Sequence, residues 1–329
     1  MSSLPVEAGQ GTPAYAELHC LTNFSFLEGA SHAEELVAQA HTLRLSALAV
    51  TDRNSLAGVV RAHVAAKERG FRLIVGARLD LQDSPSVVCL PTDRAAYGRL
   101  SKLITIGRRR AIKGECILYW SDFINLLEGQ QIIILPPADL DDGFWGRVQQ
   151  LAALTRDNLS VAISRPLRSS DEKDRIAEVV AKARTAGISV IATNNVLFHH
   201  PERKPLQDIL TCINRGCSID QAGFNLQSNA ERYIKPPAMM ARLFRDYPDA
   251  IARTVEVANR CRFSLDELRY EYPEESRGES DTPQEELVRL TWLGAAERYP
   301  EGVPNKVRAQ LEHELQLIGQ LQYAAYFLT

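Results

Sequence analysis

Short apolar runs alternate with amphipathic stretches from about residue 15 to residue 197. A first strand closes at His19-Cys20. Further runs at 45–50, 71–75, 87–90, 132–135, 159–163 and 188–192 are bounded by Gly, Pro or polar residues. Continuous apolar runs of this kind suit parallel strands buried on both faces. Between them, residues 33–42, 58–69, 95–106 and 171–186 place apolar side chains at helical spacing. Alternation of this sort predicts an α/β fold, either a barrel or a doubly wound sheet. Asp52, Arg78, Asn194 and Asn195 follow strand ends directly and should stand at the carboxyl edge, where such folds keep their sites.

The strand pattern fades after Pro201. Helices are expected from 236 and from 248, each with proline in its first turn. Residues 271–281, rich in Pro, Gly, Ser and Glu, read as a linker. Thr282-Pro283-Gln284-Glu285 supplies an N-cap, a proline at the first helical position and a capping-box glutamate, so a helix should run to about Tyr299. A last helix from Pro304 carries Val307, Leu311, Leu315, Ile318 and Leu321. The expected organisation is a disordered lead-in at 1–14, a barrel with C-terminal helices at 15–270, a linker at 271–281 and a helical segment at 282–329. Apolar residues over 315–328 predict self-association, and the apolar end predicts that more chain should follow.

The chain has 329 residues, 45% apolar and 24% charged, with a net charge of -3. That composition suits a folded protein of about two domains. The balance excludes no partner, since a neutral protein can carry a local basic groove. Six cysteines lack any Cys-x-x-Cys pair and read as reduced, buried thiols. No apolar run is long enough to span a membrane, and no signal peptide opens the chain, so a cytoplasmic location with no membrane partner is expected.

One spot suggests chemistry. His19-Cys20-Leu21 has the form of a His-x-His metal motif whose second imidazole is a hydrocarbon. Imidazole donates a lone pair to Zn, Mn or Fe; an isobutyl group cannot.

Longer stretches then carry a resemblance. YAELHCLTNFSFLEGAS at 15–31, AVTDRNSLAGV at 49–59, GRRRAIKG at 107–114, ATNNVLFHHP at 192–201, PLQDILTCI at 205–213 and CRFSLDELRYEYP at 261–273 are the strings concerned. Over its first two thirds the chain resembles a PHP (polymerase and histidinol phosphatase) domain. From about Tyr15 to its last residue it is similar to the beginning of a bacterial C-family DNA polymerase α subunit of the error-prone branch.

The resemblance implies a distorted (β/α)7 barrel followed by a small all-helical extension, the latter similar to the start of a polymerase palm. It also implies metal ligands at the carboxyl rim. His19 and Asp52 match ligand positions with competent side chains. Leu21, Arg53, Arg78, Asn195 and Leu197 stand where His, His, Glu, Asp and His belong. Two remaining donors cannot hold a cluster, and two arginines repel cations. No metal is expected in this chain, while Mg²⁺ belongs to the full-length polymerase family.

The plainer readings make His19 a hydrogen-bonded strand-end histidine and Asp52 a turn former or helix cap. Arg53 and Arg78 could bridge Asp52 in place of a cation. His199 and His200 read as surface residues, and His32 as part of a first helical turn. Arg108, Arg109, Arg110 and Lys113 are the candidate DNA contacts, with Arg203-Lys204 as a lesser one.

In the family the palm carboxylates lie beyond this chain, and the Asp-x-Asp spacing at 139–142 falls in a loop. No catalytic residue is therefore expected here. The resemblance implies a non-catalytic portion of a polymerase for damage-induced translesion synthesis, meeting DNA through the parent enzyme and other mutagenesis or replication proteins. An active metal-dependent phosphoesterase or 3′-5′ exonuclease is the competing enzyme reading.

Overall fold

A computed structural model describes residues 11, 13–268, 280 and 282–329. Most of the expected lead-in and linker lie outside the described residues. Those up to Glu267 form one compact unit and those from Leu268 onward a second.

In the first unit, seven strands form one curled sheet in sequential order: β1 (Ala16–Cys20), β2 (Ala47–Arg53), β3 (Leu73–Leu79), β4 (Val87–Pro91), β5 (Gln130–Ile134), β6 (Leu159–Ile163) and β7 (Ser189–Ala192). The distorted barrel is thus present, but its strands are not all parallel. β4 pairs antiparallel with both β3 and β5. Only residues 80–86 separate β3 from β4, too few for the crossover that a parallel pair requires. β3 also runs through Gly76 instead of stopping there, because this glycine lets Leu90 and the Cys89 carbonyl approach; a Cβ would lie 2.5 Å and 2.8 Å from them.

Helices α1 (Ala33–Thr42), α2 (Val59–Arg69), α3 (Arg94–Arg110), α4 (Trp120–Ile124), α5 (Asp142–Thr155) and α6 (Glu172–Thr185) cover the outside. α1 buries Ala33, Leu36, Val37 and Ala40, an i, i+3, i+4, i+7 stripe, against the sheet. Inside, Ala16, Leu18, Ala47, Ala49, Ile74, Val88, Ile133, Ala162 and Ile191 fill the barrel. The small side chains suit its narrow bore.

β1 and β7 do not form a ladder. An isolated bridge between Cys20 and Val196 joins β1 to the segment after β7, through Leu21 N–H to the Val196 carbonyl and Val196 N–H to the His19 carbonyl, both 2.9 Å. Beyond β7 come α7 (Lys204–Arg215), α8 (Ile219–Ala222), α9 (Pro237–Leu243) and α10 (Pro248–Arg260). α10 packs on β7 and β1. Its Thr254 hydroxyl accepts the otherwise free Ala16 N–H at 3.1 Å, and Val257, Ala258 and Cys261 join the barrel interior.

The seam is fastened by one buried carboxylate. Glu17 accepts from the Tyr15 hydroxyl (2.7 Å), its own strand's His19 N–H (2.9 Å), the Thr193 hydroxyl (3.0 Å) and Asn194 N–H (3.0 Å).

The second unit holds α11 (Pro283–Arg298), α12 (Asn305–Gln320) and α13 (Ala324–Leu328). α11 begins with the expected cap: Thr282 Oγ1 accepts from Glu285 N–H, and Glu285 accepts from Thr282 N–H. Leu315 is buried, whereas Leu317, Leu321, Tyr326 and Phe327 are exposed.

Candidate functional site

The seven rim positions separate into four local arrangements, each explained by its own chemistry. Leu21 and Leu197 are fully buried in one small cluster with Ala30 and Phe198. Ala30 N–H donates to the Leu197 carbonyl at 2.8 Å, tying the loop after β1 to the segment after β7. Where two imidazoles would face an ion, two leucines make a hydrophobic plug, each contributing roughly 1.5–3 kcal/mol by its burial.

Asp52 is buried and saturated. Its Oδ1 accepts from Thr22 N–H (2.8 Å) and the Ser25 hydroxyl (2.7 Å), and Thr22 Oγ1 lies 2.9 Å from Oδ2. Gly58 closes the other side, since a Cβ there would sit 2.2 Å from Oδ2. Burial pushes this carboxyl up, against the hydrogen bonds from Ser25 and Thr22. Asp52 therefore organises the turn at 22–25; the N-cap of α2 is Gly58.

Arg53 and Arg78 do not bridge Asp52. Successive strand residues point to opposite faces, so Arg53 turns away from its neighbour Asp52. The β2–β3 register sets Arg53 beside Arg78 instead. Two adjacent guanidinium groups require anions, and Asp80 and Glu28 supply them. Arg78 Nε lies 2.9 Å from Asp80, Arg53 pairs with the other Asp80 oxygen, and each arginine stands 3.8 Å from Glu28. Burial alone would raise the Asp80 carboxyl; Arg78, the Ser86 hydroxyl and Arg53 hold it below its ordinary value. Reading the sequence missed Asp80, Glu28, Thr22 and Ser25. The available cue was electrostatic, because two arginines at neighbouring strand ends demand counter-ions nearby.

His19 and Asn195 share a cavity of about 240 Å³, lined also by Ser164, Thr193 and Arg175. His19 is 1% exposed, and neither ring nitrogen has a hydrogen-bond partner among the described residues. The expected hydrogen bond to the ring is not made by any of the described residues. Burial, then Arg78 and Arg232, push its imidazole well below the ordinary value, so it is neutral. Asn195 adopts φ +47°, a left-handed conformation that asparagine tolerates.

These positions do not fit a metal cluster. Asp52 has its oxygens occupied, two positions are apolar, and two are cationic and already paired. Among the described residues, no group of three His, Cys, Asp or Glu could hold a metal ion.

Arg108, Arg109 and Arg110 end α3, where their charges complement the carboxyl end of the helix, and Lys113 follows it. Arg108 donates to the Asn54 carbonyl (3.0 Å), while Arg110 clasps Asp122 with two bonds of 2.6 and 3.0 Å. Arg109 and Lys113 are exposed and have no polar partner among the described residues. Arg203 pairs with Glu35 and Lys204 with Asp208.

His199 lies 2.7 Å from the Ser31 hydroxyl, and His200 sits at the start of a 3-10 turn, so the two serve separate local contacts. His32 is the N-cap of α1. Asp141, within the Asp-x-Asp stretch, accepts from Phe144 N–H and so opens α5. All six cysteines are free; four are buried, and Cys116 and Cys217 are half-buried.

The Arg110–Asp122 pair has a pH consequence. Hydrogen bonds from Arg110 hold the Asp122 carboxyl below its ordinary value of 3.8. A carboxyl lowered in the folded state contributes stability above its unfolded value and loses it as pH falls. Asp122→Asn should therefore lower the unfolding midpoint at neutral pH, with the gap to the parent closing below pH 3.8.

Comparison with known proteins follows the same division. Residues 17–134 match the PHP domain family, and residues 285–329 match the bacterial DNA polymerase III alpha NTPase domain. The chain is 50% identical over 318 residues to an error-prone DNA polymerase of Caulobacter vibrioides and 48% identical to error-prone DNA polymerase 1 of Agrobacterium fabrum. Each match covers 96% of this chain but 29% of the relative, so the chain spans under a third of those proteins. A solved amidohydrolase from Chromobacterium violaceum aligns over 55% of this chain and 86% of its own at 15% identity, with a TM-score of 0.41. Among the described residues no helix is long and apolar enough to cross a membrane.

Proposed function

We propose, for a chain whose sequence corresponds to the N-terminal part of the bacterial error-prone DNA polymerases, that its barrel is a metal-free scaffold supporting translesion synthesis by the parent enzyme. The observation that carries this is the saturation of Asp52 by Thr22 and Ser25. A carboxylate already given three donors offers an ion little, and a metal would have to displace them. In this reading the barrel does no hydrolysis, nucleotidyl transfer with its Mg²⁺ belongs to the polymerase module, and residues 282–329 begin that module.

Turnover of a phosphomonoester and of a 3′-labelled primer, measured with Mn²⁺, Zn²⁺ or Mg²⁺, tests the reading. No metal-dependent hydrolysis is expected. Hydrolysis that is abolished both by chelation and by His19→Ala would make the barrel an active phosphoesterase or exonuclease.

DNA is the proposed partner through the parent enzyme, and Arg109 and Lys113 are the free cations of the basic segment. Each neutralised phosphate contributes about 0.7 to the salt slope on single strands. Arg109→Ala and Lys113→Ala should each lower that slope by about this amount in fluorescence anisotropy. Arg110→Ala, which removes a cation already held by Asp122, should leave it unchanged.

A further inference from the structure

Two of the six cysteines meet at the end of α7, away from the barrel mouth. The helix stops at Gly216, whose φ of +63° is the left-handed conformation that glycine adopts at no steric cost. Gly216 N–H donates to the Ile213 carbonyl at 3.2 Å, and Cys217 N–H donates to the Cys212 carbonyl at 3.1 Å. These two bonds are a Schellman closure, which lays the side chain just past the glycine against the one five positions earlier. An apolar contact commonly fills that place. Here both side chains carry thiols.

The separation suits a covalent bond. With a 3.1 Å hydrogen bond between their main chains, the Cα atoms of Cys212 and Cys217 lie within about 7 Å by covalent geometry alone. The bent approach of N–H to carbonyl shortens this into the roughly 4.4–6.8 Å that a disulfide spans. Burial, then the adjacent Cys217 thiol, raises the Cys212 thiol above its ordinary value. Both sulfurs are free, and they differ in access. Cys212 is buried, whereas Cys217 is half-buried in a segment whose Ile213 and Ile219 are exposed. Cys20, Cys89 and Cys261 are buried in the barrel unit, out of reach of a reagent.

We infer that Cys212 and Cys217 are a redox-sensitive pair that closes to a disulfide across the corner between α7 and α8. The Cys217 thiolate attacks one sulfur of a small disulfide such as oxidised glutathione, forming a mixed disulfide and releasing one glutathione thiolate. Cys212 gives its proton to solvent and attacks the Cys217 sulfur. The Cys212–Cys217 bond forms, and the second glutathione leaves as a thiolate. Two protein thiols are thereby oxidised, and one disulfide is reduced to two thiols. The Schellman closure already holds the two residues together, so the bond forms without breaking the helix cap. In a reducing compartment the pair stays open and closes only as conditions become more oxidising.

Equilibration of the folded 329-residue chain in glutathione buffers of fixed total concentration, followed by alkylation and mass analysis, tests this. Trypsin cuts after Arg215, between the two cysteines, so the disulfide leaves two peptides joined until reductant is added. A joined pair carrying Cys212 and Cys217 is expected, with two hydrogen masses lost from the chain. In Cys212→Ala, Cys217 should instead end as a mixed disulfide with glutathione. That product should need a disulfide-to-thiol ratio at least about tenfold higher, because no second thiol is held at high effective concentration. If Cys212→Ala fails to fold, Cys212→Ser carries the same comparison, and the peptide map of the parent stands without either variant. Cysteines 212 and 217 that remain open to alkylation across the whole range overturn the inference. So does a joined pair that carries Cys116 in place of Cys212, or an equal ratio for the parent and the variant.

Discussion

Asp52→Ala is expected to destabilise the barrel unit by roughly 3–5 kcal/mol, because it strips buried donors of their acceptor at about 1–3 kcal/mol each. Thr22 N–H and the hydroxyls of Thr22 and Ser25 all converge on this carboxylate, and none is exposed enough for water to replace it. Relief of a desolvated charge offsets part of the loss, which keeps the figure below the sum of the separate bonds. A loss of this size is a large share of a domain's typical stability of about 5–15 kcal/mol. Urea unfolding of parent and variant, with and without chelator, reads it. The scaffold account expects the same large loss in both conditions. A ligand role predicts a parent that chelator weakens and a variant that chelator does not change.

The seam gives the second large effect. Glu17→Ala should cost about 4 kcal/mol or more, since four donors from both edges of the sheet lose one acceptor. Lys235, whose side chain is 0% exposed and which feels the Glu17 charge, loses part of its compensation as well. Glu17→Gln keeps one oxygen but turns an NH₂ toward a donor, and should cost about 1–3 kcal/mol. The effect should be local before it is global. Hydrogen exchange at the Leu21 and Val196 amides, the bridge between β1 and the segment after β7, should accelerate more than exchange at β2 or β3 amides. Uniform acceleration across the sheet would contradict a seam role for Glu17.

The strands were legible because each is an apolar run bounded by breakers, and α1 was legible to the residue because its buried stripe is regular. The orientation of β4 was less visible. It follows from the short spacing between Leu79 and Val87, a fact of connection length and not of hydrophobic pattern. α5 escaped notice because Pro136 and Pro137 precede it and Gly143 and Gly146 interrupt its pattern, although Phe144, Trp145, Val148 and Leu151 do form a helical stripe.

At the rim, resemblance pointed to the ligand positions, and simple chemistry judged which side chains could serve. What the sequence concealed was how the replacements are partnered. Arg53 adjoins Asp52 in the chain and so looks like its counter-ion, but strand alternation separates them. The partners that matter, Asp80 directly after β3 and Glu28 in the loop after β1, are fixed by register and tertiary packing. His19 was misjudged for a related reason: burial was foreseeable, but an imidazole with no protein partner is visible only in the folded cavity.

The account's central claim concerns what the barrel mouth can hold. Equilibrium dialysis of the chain against Mn²⁺ and Zn²⁺ at physiological ionic strength, followed by elemental analysis, addresses it most directly. The donor geometry predicts no stoichiometric retention of either ion, in the parent and in Asp52→Asn alike. Retention of one or more ions per chain, lost on replacing His19 or Asp52, would contradict it.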